Sequence, residues 1–250
     1  MPRIHVTAAV GLFAAIIGLP LLAADQSVTF DKTFFSDYSR LVPRKTADNG
    51  MDFSYIAPQA IDKLNQYKAL MVDQPEILMS PNSDYKGAKP ENLAAIANGM
   101  RQALDERLTA GGYKVVDKPG PGVLYVRIAL TDLELQKKKR GILAYTPIGA
   151  VVKFGVDSLK DFQSKFDIMN MVFQMEIVDS VTNQVFGQYV AVRGGGAKPV
   201  RMDFDQVKAN MDEFGERLRC RLDNAHGPVD KQINCLDPNA RQAREAAQAH

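Results

Sequence analysis

Tryptophan is absent from the chain, and only two cysteines and three histidines occur in its 250 residues. The histidine shortage narrows the chemistry. His5 sits in an apolar leader, so the remainder keeps only His226 and His250, both near the C-terminus and neither beside an obvious nucleophile. That argues against a Ser-His-Asp or Cys-His site. Two cysteines, Cys220 and Cys235, and two distant histidines match no zinc-ligand spacing either. Net charge is also scarce. Lys and Arg total 31 against 29 Asp and Glu, a formal +2, with the acids interspersed nearly everywhere. A nucleic-acid surface shows a basic excess or stripe, so nucleic acid is set aside as a partner. Beyond the leader, no apolar run approaches the roughly twenty residues that cross a bilayer.

What is present begins with an address. "MPRIHVTAAVGLFAAIIGLPLLAADQ" has a basic start at Arg3, an apolar run to Leu19, the breaker Pro20, and small Ala23 and Ala24 before Asp25. This layout predicts a secretory signal peptide over residues 1–24, cleaved after Ala23 or Ala24. The expected location is periplasmic or secreted. In an exported chain an even cysteine count suggests a Cys220–Cys235 disulfide, closing a loop worth about 3 kcal/mol in the chain-entropy model. The other reading is two free thiols.

Residues 25–60 read as an ordered, mostly irregular arm that lays Phe34, Phe35, Tyr38, Phe53 and Tyr55 on the domain; disordered segments are poor in aromatics. Residues 61–223 read as one domain. A strand runs from about Lys68 to Asp73 and is ended or bulged by Pro75. A helix starts at Pro90 and stops at Gly111 and Gly112. Its buried stripe is Leu93, Ile96, Ala97, Met100, Leu104 and Leu108. Val115 and Val116 make a short strand. Leu124, Val126, Ile128 and Leu130 then alternate, and the phase shifts to Leu133 and Leu135, which predicts a bulge near Thr131 or Asp132. From Asp167 a long hairpin begins, turning at "DSVTNQ" and returning over Val185–Arg193. Met169, Met171, Phe173, Met175 and Ile177 share one face, expected in the core, where Met is a common gap-filler, in preference to the other reading of the Met stripe as a ligand groove. Asn170, Gln174 and Glu176 share the other, expected half-solvated. A last helix starts near Asp203 or Asp205, with Phe204, Val207, Met211, Phe214, Leu218 and Leu222 as its stripe. Residues 224–250 read as a polar, Ala-rich C-terminal tail, with a frayed helix after Pro238. Two amphipathic helices on one face of a mostly antiparallel sheet give an α+β two-layer sandwich.

"FFSDYSRLVP", "YIAPQAIDKLNQYKALMVDQPEI" and "GYKVVDKPGPGVLYVRIALTDLE", in that order, resemble a bacterial family catalogued as domain-of-unknown-function family 3313. The likeness runs from about Phe34 to Leu222. It implies an exported envelope protein of a kind often lipidated, and it brings no catalytic residues. "GLPLLAADQ" has Ala where a lipidated Cys would stand, so a lipid anchor is not expected.

Other candidate chemistry is thin. Asp37, Asp73, Asp132 and Asp179 are scattered around turns and read as turn formers. "RGGGAKP" lacks the Gly-Lys-Ser/Thr ending of a phosphate loop and reads as a hairpin exit. No cofactor is implied. The most ambiguous stretch is "QKKKRGILAYTPIGAVVKFG". Lys137, Lys138, Lys139 and Arg140 end a strand, where cations discourage edge pairing. Residues 142–156 then read as a crossover packing Leu143, Ile148 and Val151 on the sheet. The alternative is a surface element, because lysines beside an apolar face attract anionic lipid at about 1 kcal/mol per cation. Three functions follow. The leading expectation is a non-enzymatic envelope module that binds a protein or an anionic membrane surface. The second is a small-molecule binder with a pocket between arm and sheet. The last is a carboxylate-based hydrolase.

Overall fold

The computed structural model describes residues 28–45, 51–83, 90–137, 166–194 and 204–248. The strands are β1 (Val42–Lys45), β2 (Met51–Ile56), β3 (Ala69–Val72), β4 (Glu76–Met79), β5 (Lys114–Val115), β6 (Val123–Lys137), β7 (Phe166–Asp179) and β8 (Val185–Gly194). The helices are the short α1 (Ala60–Lys63), then α2 (Pro90–Ala110), α3 (Phe204–His226) and α4 (Pro238–Gln248). The strands form one sheet in the order β1-β2-β8-β7-β6-β3-β5, with β4 also on β6. The chain is therefore α+β.

The sheet is mixed. Pairs from β1 through β2, β8 and β7 to β6 are antiparallel, whereas β3 and β4 run parallel to β6 and β5 runs parallel to β3. Parallel neighbours need a long crossover, and the chain between β4 and β5 passes through α2. Side-chain alternation reports which face a residue occupies and is silent on strand direction, so the parallel pairs were not legible. Two further elements were missed. The second half of the arm is a hairpin, β1–β2, added to the sheet edge beside β8. After Pro75 the chain resumes as β4 along the far half of β6.

The long strands follow the sequence pattern closely. Thr131 pairs with Val172 but Glu134 with Asn170, so β6 carries one extra residue, and Asp132 there has φ 51°. This is the bulge expected from the phase change. A second shift follows at once, between Glu134 and Leu135. It turns Ile168, rather than Met169, into the core. The hairpin turn at residues 180–184 is closed by Asp179, which accepts hydrogen bonds from Val181 N (2.9 Å), Thr182 N (2.7 Å) and Thr182 Oγ1 (3.0 Å).

Both faces of the central strands are covered. On one, Met100, Leu104 and Leu108 of α2 and Met211, Leu218 and Leu222 of α3 share a core with Leu124, Ile128, Leu130, Met171 and Met175. Each such side chain contributes roughly 1.5–3 kcal/mol by leaving water. The two helices approach closely at Gly215, where an added Cβ would stand 3.1 Å from Arg107 Cβ. On the other face, Phe34 and Phe35 of the arm pack on Ala129, Val172, Val190 and Val192, with Tyr38 and Phe53 alongside. That cover changes the expected half-solvated row. Gln174 and Glu176 are buried, and burial obliges them to find partners. Gln174 donates to Thr131 Oγ1 (2.9 Å) and to the Asp31 carbonyl (2.8 Å), and accepts from Tyr38 Oη (2.7 Å). Glu176 holds Arg127 at 2.9 Å and accepts from Gln188 at 2.8 Å, along the cross-strand row Arg127–Glu176–Gln188.

Cys220 and Cys235 are joined, S–S 2.02 Å, across 15 residues. The bridge and a set of arginines fold the C-terminal segment back onto α3. Arg241 reaches Glu213 and the Cys235 carbonyl, Arg244 reaches Asn224, and Glu245 takes Arg219. The helix expected as frayed after Pro238 spans Pro238–Gln248 and is docked on α3. Among the described residues, no helix is long and apolar enough to cross a membrane.

Candidate functional site

A cavity of about 90 Å³ lies between α3 and the helix-side face of β6, β7 and β8. Its floor comes from strand alternation: Leu130 on β6, Met171 and Phe173 on β7, Tyr189 and Ala191 on β8. Its roof is one stripe of α3, Val207, Met211 and Phe214, spaced four and three apart. Phe173, Tyr189 and Phe214 form an aromatic wall, with Phe173 and Phe214 centroids 5.7 Å apart and Tyr189 stacked on Phe214 at 6.4 Å. The cavity exists because Ala191 is small where its strand neighbours are large. It is smaller than the 150 Å³ or so that accepts a benzene ring.

The mouth is polar. Asn210, Glu213 and Arg217 of α3 and Arg193 of β8 line it. Asp52, from the neighbouring β2, anchors two of its groups: it accepts from Tyr189 Oη (2.6 Å) and holds Arg193 Nη1 (2.7 Å). Burial, then the Asp52 hydrogen bond and charge, push the Tyr189 phenol up to about 12, against the pull of Arg193 and Arg217. Tyr189 is thus a fixed neutral donor at working pH. Arg217 Nε holds Glu213 at 2.8 Å, and Glu213 is shared with Arg241.

The carboxylates considered for acid–base work do not meet there. Asp37 serves its own turn, with Ser39 and Arg40. Asp73 takes Tyr125, Asp132 takes the Asp31 amide, and Asp179 takes Tyr67. Among the described residues no group of three or more His, Cys, Asp or Glu could hold a metal ion. His226 Nδ1 lies 2.8 Å from the Leu222 carbonyl, and His250 is outside the described residues. Of the basic lip, Lys137 is the last residue of β6. Lys138, Lys139, Arg140 and the 142–156 segment lie outside the described residues, as does the 1–24 leader.

Aromatics and the Gln174 network fill the arm side of the sheet, and the cavity opens on the opposite face. Sequence reasoning had placed Met171, Val207, Met211 and Phe214 on core stripes, and they are there. It missed Asp52, Tyr189 and Arg193. The available signal was the β8 alternation Tyr189, Ala191, Arg193, a buried-facing set that grows polar toward its end.

The family model described as protein of unknown function (DUF3313) matches residues 31–218. No curated protein matches the chain. Solved structures with a similar course include a PelC dodecamer from Paraburkholderia phytofirmans, 14% identical, covering 66% of this chain and 92% of that one at a TM-score of 0.34. A DUF4136 family protein from Bacteroides thetaiotaomicron is 11% identical over 70% of this chain and 98% of that one, TM-score 0.38. A PDZ domain protein from Parabacteroides distasonis is 11% identical over 71% of this chain and 36% of that one, TM-score 0.34.

Proposed function

We propose that this chain, which belongs to the DUF3313 family, is a non-enzymatic binding module of the cell envelope that takes the apolar end of a small ligand under α3. The observation that carries the reading is the cavity: apolar and aromatic walls, with a few polar groups converging at one mouth. Small-molecule sites have this character. Size limits the ligand. Whole drug-sized molecules need roughly 300–1,000 Å³, so about 90 Å³ suits one end of a ligand whose remainder stays at the mouth. The export layout of residues 1–24 supports the envelope as the compartment. The dispersal of Asp37, Asp73, Asp132 and Asp179 among separate turns favours binding over hydrolysis.

Methionine-methyl NMR tests the reading directly, because Met171 and Met211 line the cavity. Titration with 1-butanol, a small apolar probe, should shift both methyls and leave Met79, on β4, in place. Ala191→Leu, which fills the space, should abolish the shifts. Unmoved Met171 and Met211 methyls at saturating probe would refute the reading.

A further inference from the structure

Polar residues leading outward from the cavity point to one class of ligand. On the sheet side, Arg44 pairs in register with Asp52, and Asp52 with Ala191. A row on one face therefore leads from the cavity floor at Ala191 outward to the edge strand, over two strand spacings, about 10 Å. On the helix side, Arg217 and Arg221 are one turn apart on α3, past Phe214. Arg221 lies within electrostatic reach of Arg217, Tyr189 and Arg44. Among the described residues, neither Arg44 nor Arg221 makes an ion pair. Arg193 and Arg217 have carboxylate partners, but Glu213 is divided between Arg217 and Arg241. Asp52 is likewise shared, between Arg193 and Tyr189. Like charges so gathered repel one another, and an anion would relieve them. Arginine forks match carboxylate and phosphate oxygens in pairs.

We propose that this face binds a short-chain organic anion, with its apolar tip in the cavity and its carboxylate or phosphate between Arg217, Arg221 and Arg44. This rests on the cavity reading above and deepens it by naming the head group. The chain must cover about 10 Å from tip to head. Affinity should therefore rise from butanoate to octanoate, and further methylenes should add nothing through the cavity.

The test is a titration of the methionine-labelled chain with butanoate, hexanoate and octanoate and with the matched alcohols, below micelle-forming concentrations. Hexyl phosphate and phosphatidylglycerol vesicles form two further arms. The acids should shift Met171 and Met211 and bind about tenfold or more tightly than the alcohols, as expected for a charge-assisted contact. Arg221→Gln should remove most of that difference while leaving alcohol binding intact, and Arg217→Gln should act in the same direction. Arg221 takes no part in the described ion pairs, so its variant should stay folded, which the melting temperature checks. Equal binding of acids and alcohols overturns the head-group inference and leaves the cavity reading standing. Silence of both methyls with every compound overturns the cavity reading itself. Binding to vesicles that depends on Arg221 without moving either methyl assigns the arginines to a membrane surface and also overturns the inference. Methyl shifts with hexyl phosphate and no vesicle binding identify a free small anion as the source.

Discussion

At the scale of single residues, the fold relies on tyrosines that donate to carboxylates: Tyr67 to Asp179, Tyr113 to Asp223, Tyr125 to Asp73 and Tyr189 to Asp52. Asp179 has the most to do, since it holds Tyr67 Oη at 2.6 Å while closing the β7–β8 turn. Burial raises its pKa, but Tyr67, Val181 and Thr182 outweigh that and bring it down to about 2 from 3.8. A folded-state pKa below the unfolded one gives stability that is present above the unfolded value and lost as pH falls through the folded one. Stability should therefore drop between about pH 4 and pH 2. Asp179→Asn should be less stable at neutral pH and should flatten that part of the curve. Urea melts from pH 5 to pH 2 decide it; an unchanged slope in the variant would assign the acid sensitivity elsewhere. The position of Asp179 at a turn was legible in sequence, from "DSVTNQ". Its partner Tyr67 was not, because 112 residues separate them.

At the scale of elements, periodicity located the two long helices and the three long strands, and the phase change between Leu130 and Leu133 located the bulge. Both long helices have buried stripes close to those expected, and α2 begins at Pro90. The misses share a physical cause. β1 and β4 are four residues each, and β2 has six, too few for alternation to stand out beside Pro43, Gly50 and Pro75. Met169 and Ile168 exchanged places because a second register shift sits next to the first, and only one of the two leaves a trace in the pattern. The C-terminal helix went unrecognised as docked because its contacts are arginine hydrogen bonds and a disulfide rather than an apolar stripe. This makes a prediction for Cys220 and Cys235. Thiol labelling of the denatured, unreduced protein should find neither cysteine. Replacing both with Ser should cost about 3 kcal/mol for a loop of this length, and α4 should become protease-sensitive first. Full labelling without reductant, or a double variant as stable as the parent, would contradict the account.

At the scale of the whole molecule, the central sheet is used differently on its two sides. The arm side is closed: Phe34 and Phe35 cover it, and Tyr38 ties them to Gln174 by accepting from the Phe34 and Phe35 amides and donating to the amide oxygen. The helix side is closed under α2 and left short of full packing under α3, where Ala191 faces Met211 and Phe214 across about 90 Å³. Interiors are otherwise packed as densely as organic crystals, so a cavity that opens among arginines is a feature to be accounted for. The proposed binding of a small ligand accounts for it. The sequence carried the walls of this site as core stripes, yet the gap between them depends on which small residue meets which helix turn, and periodicity holds no information on that. The most direct measurement is native mass spectrometry of the protein recovered, without detergent, from the envelope fraction of its own cells, beside Ala191→Leu at a matched melting temperature. The account predicts a bound small amphiphile on the parent that is absent from the variant. An identical spectrum for the two proteins, with the same adduct or with none, would contradict it.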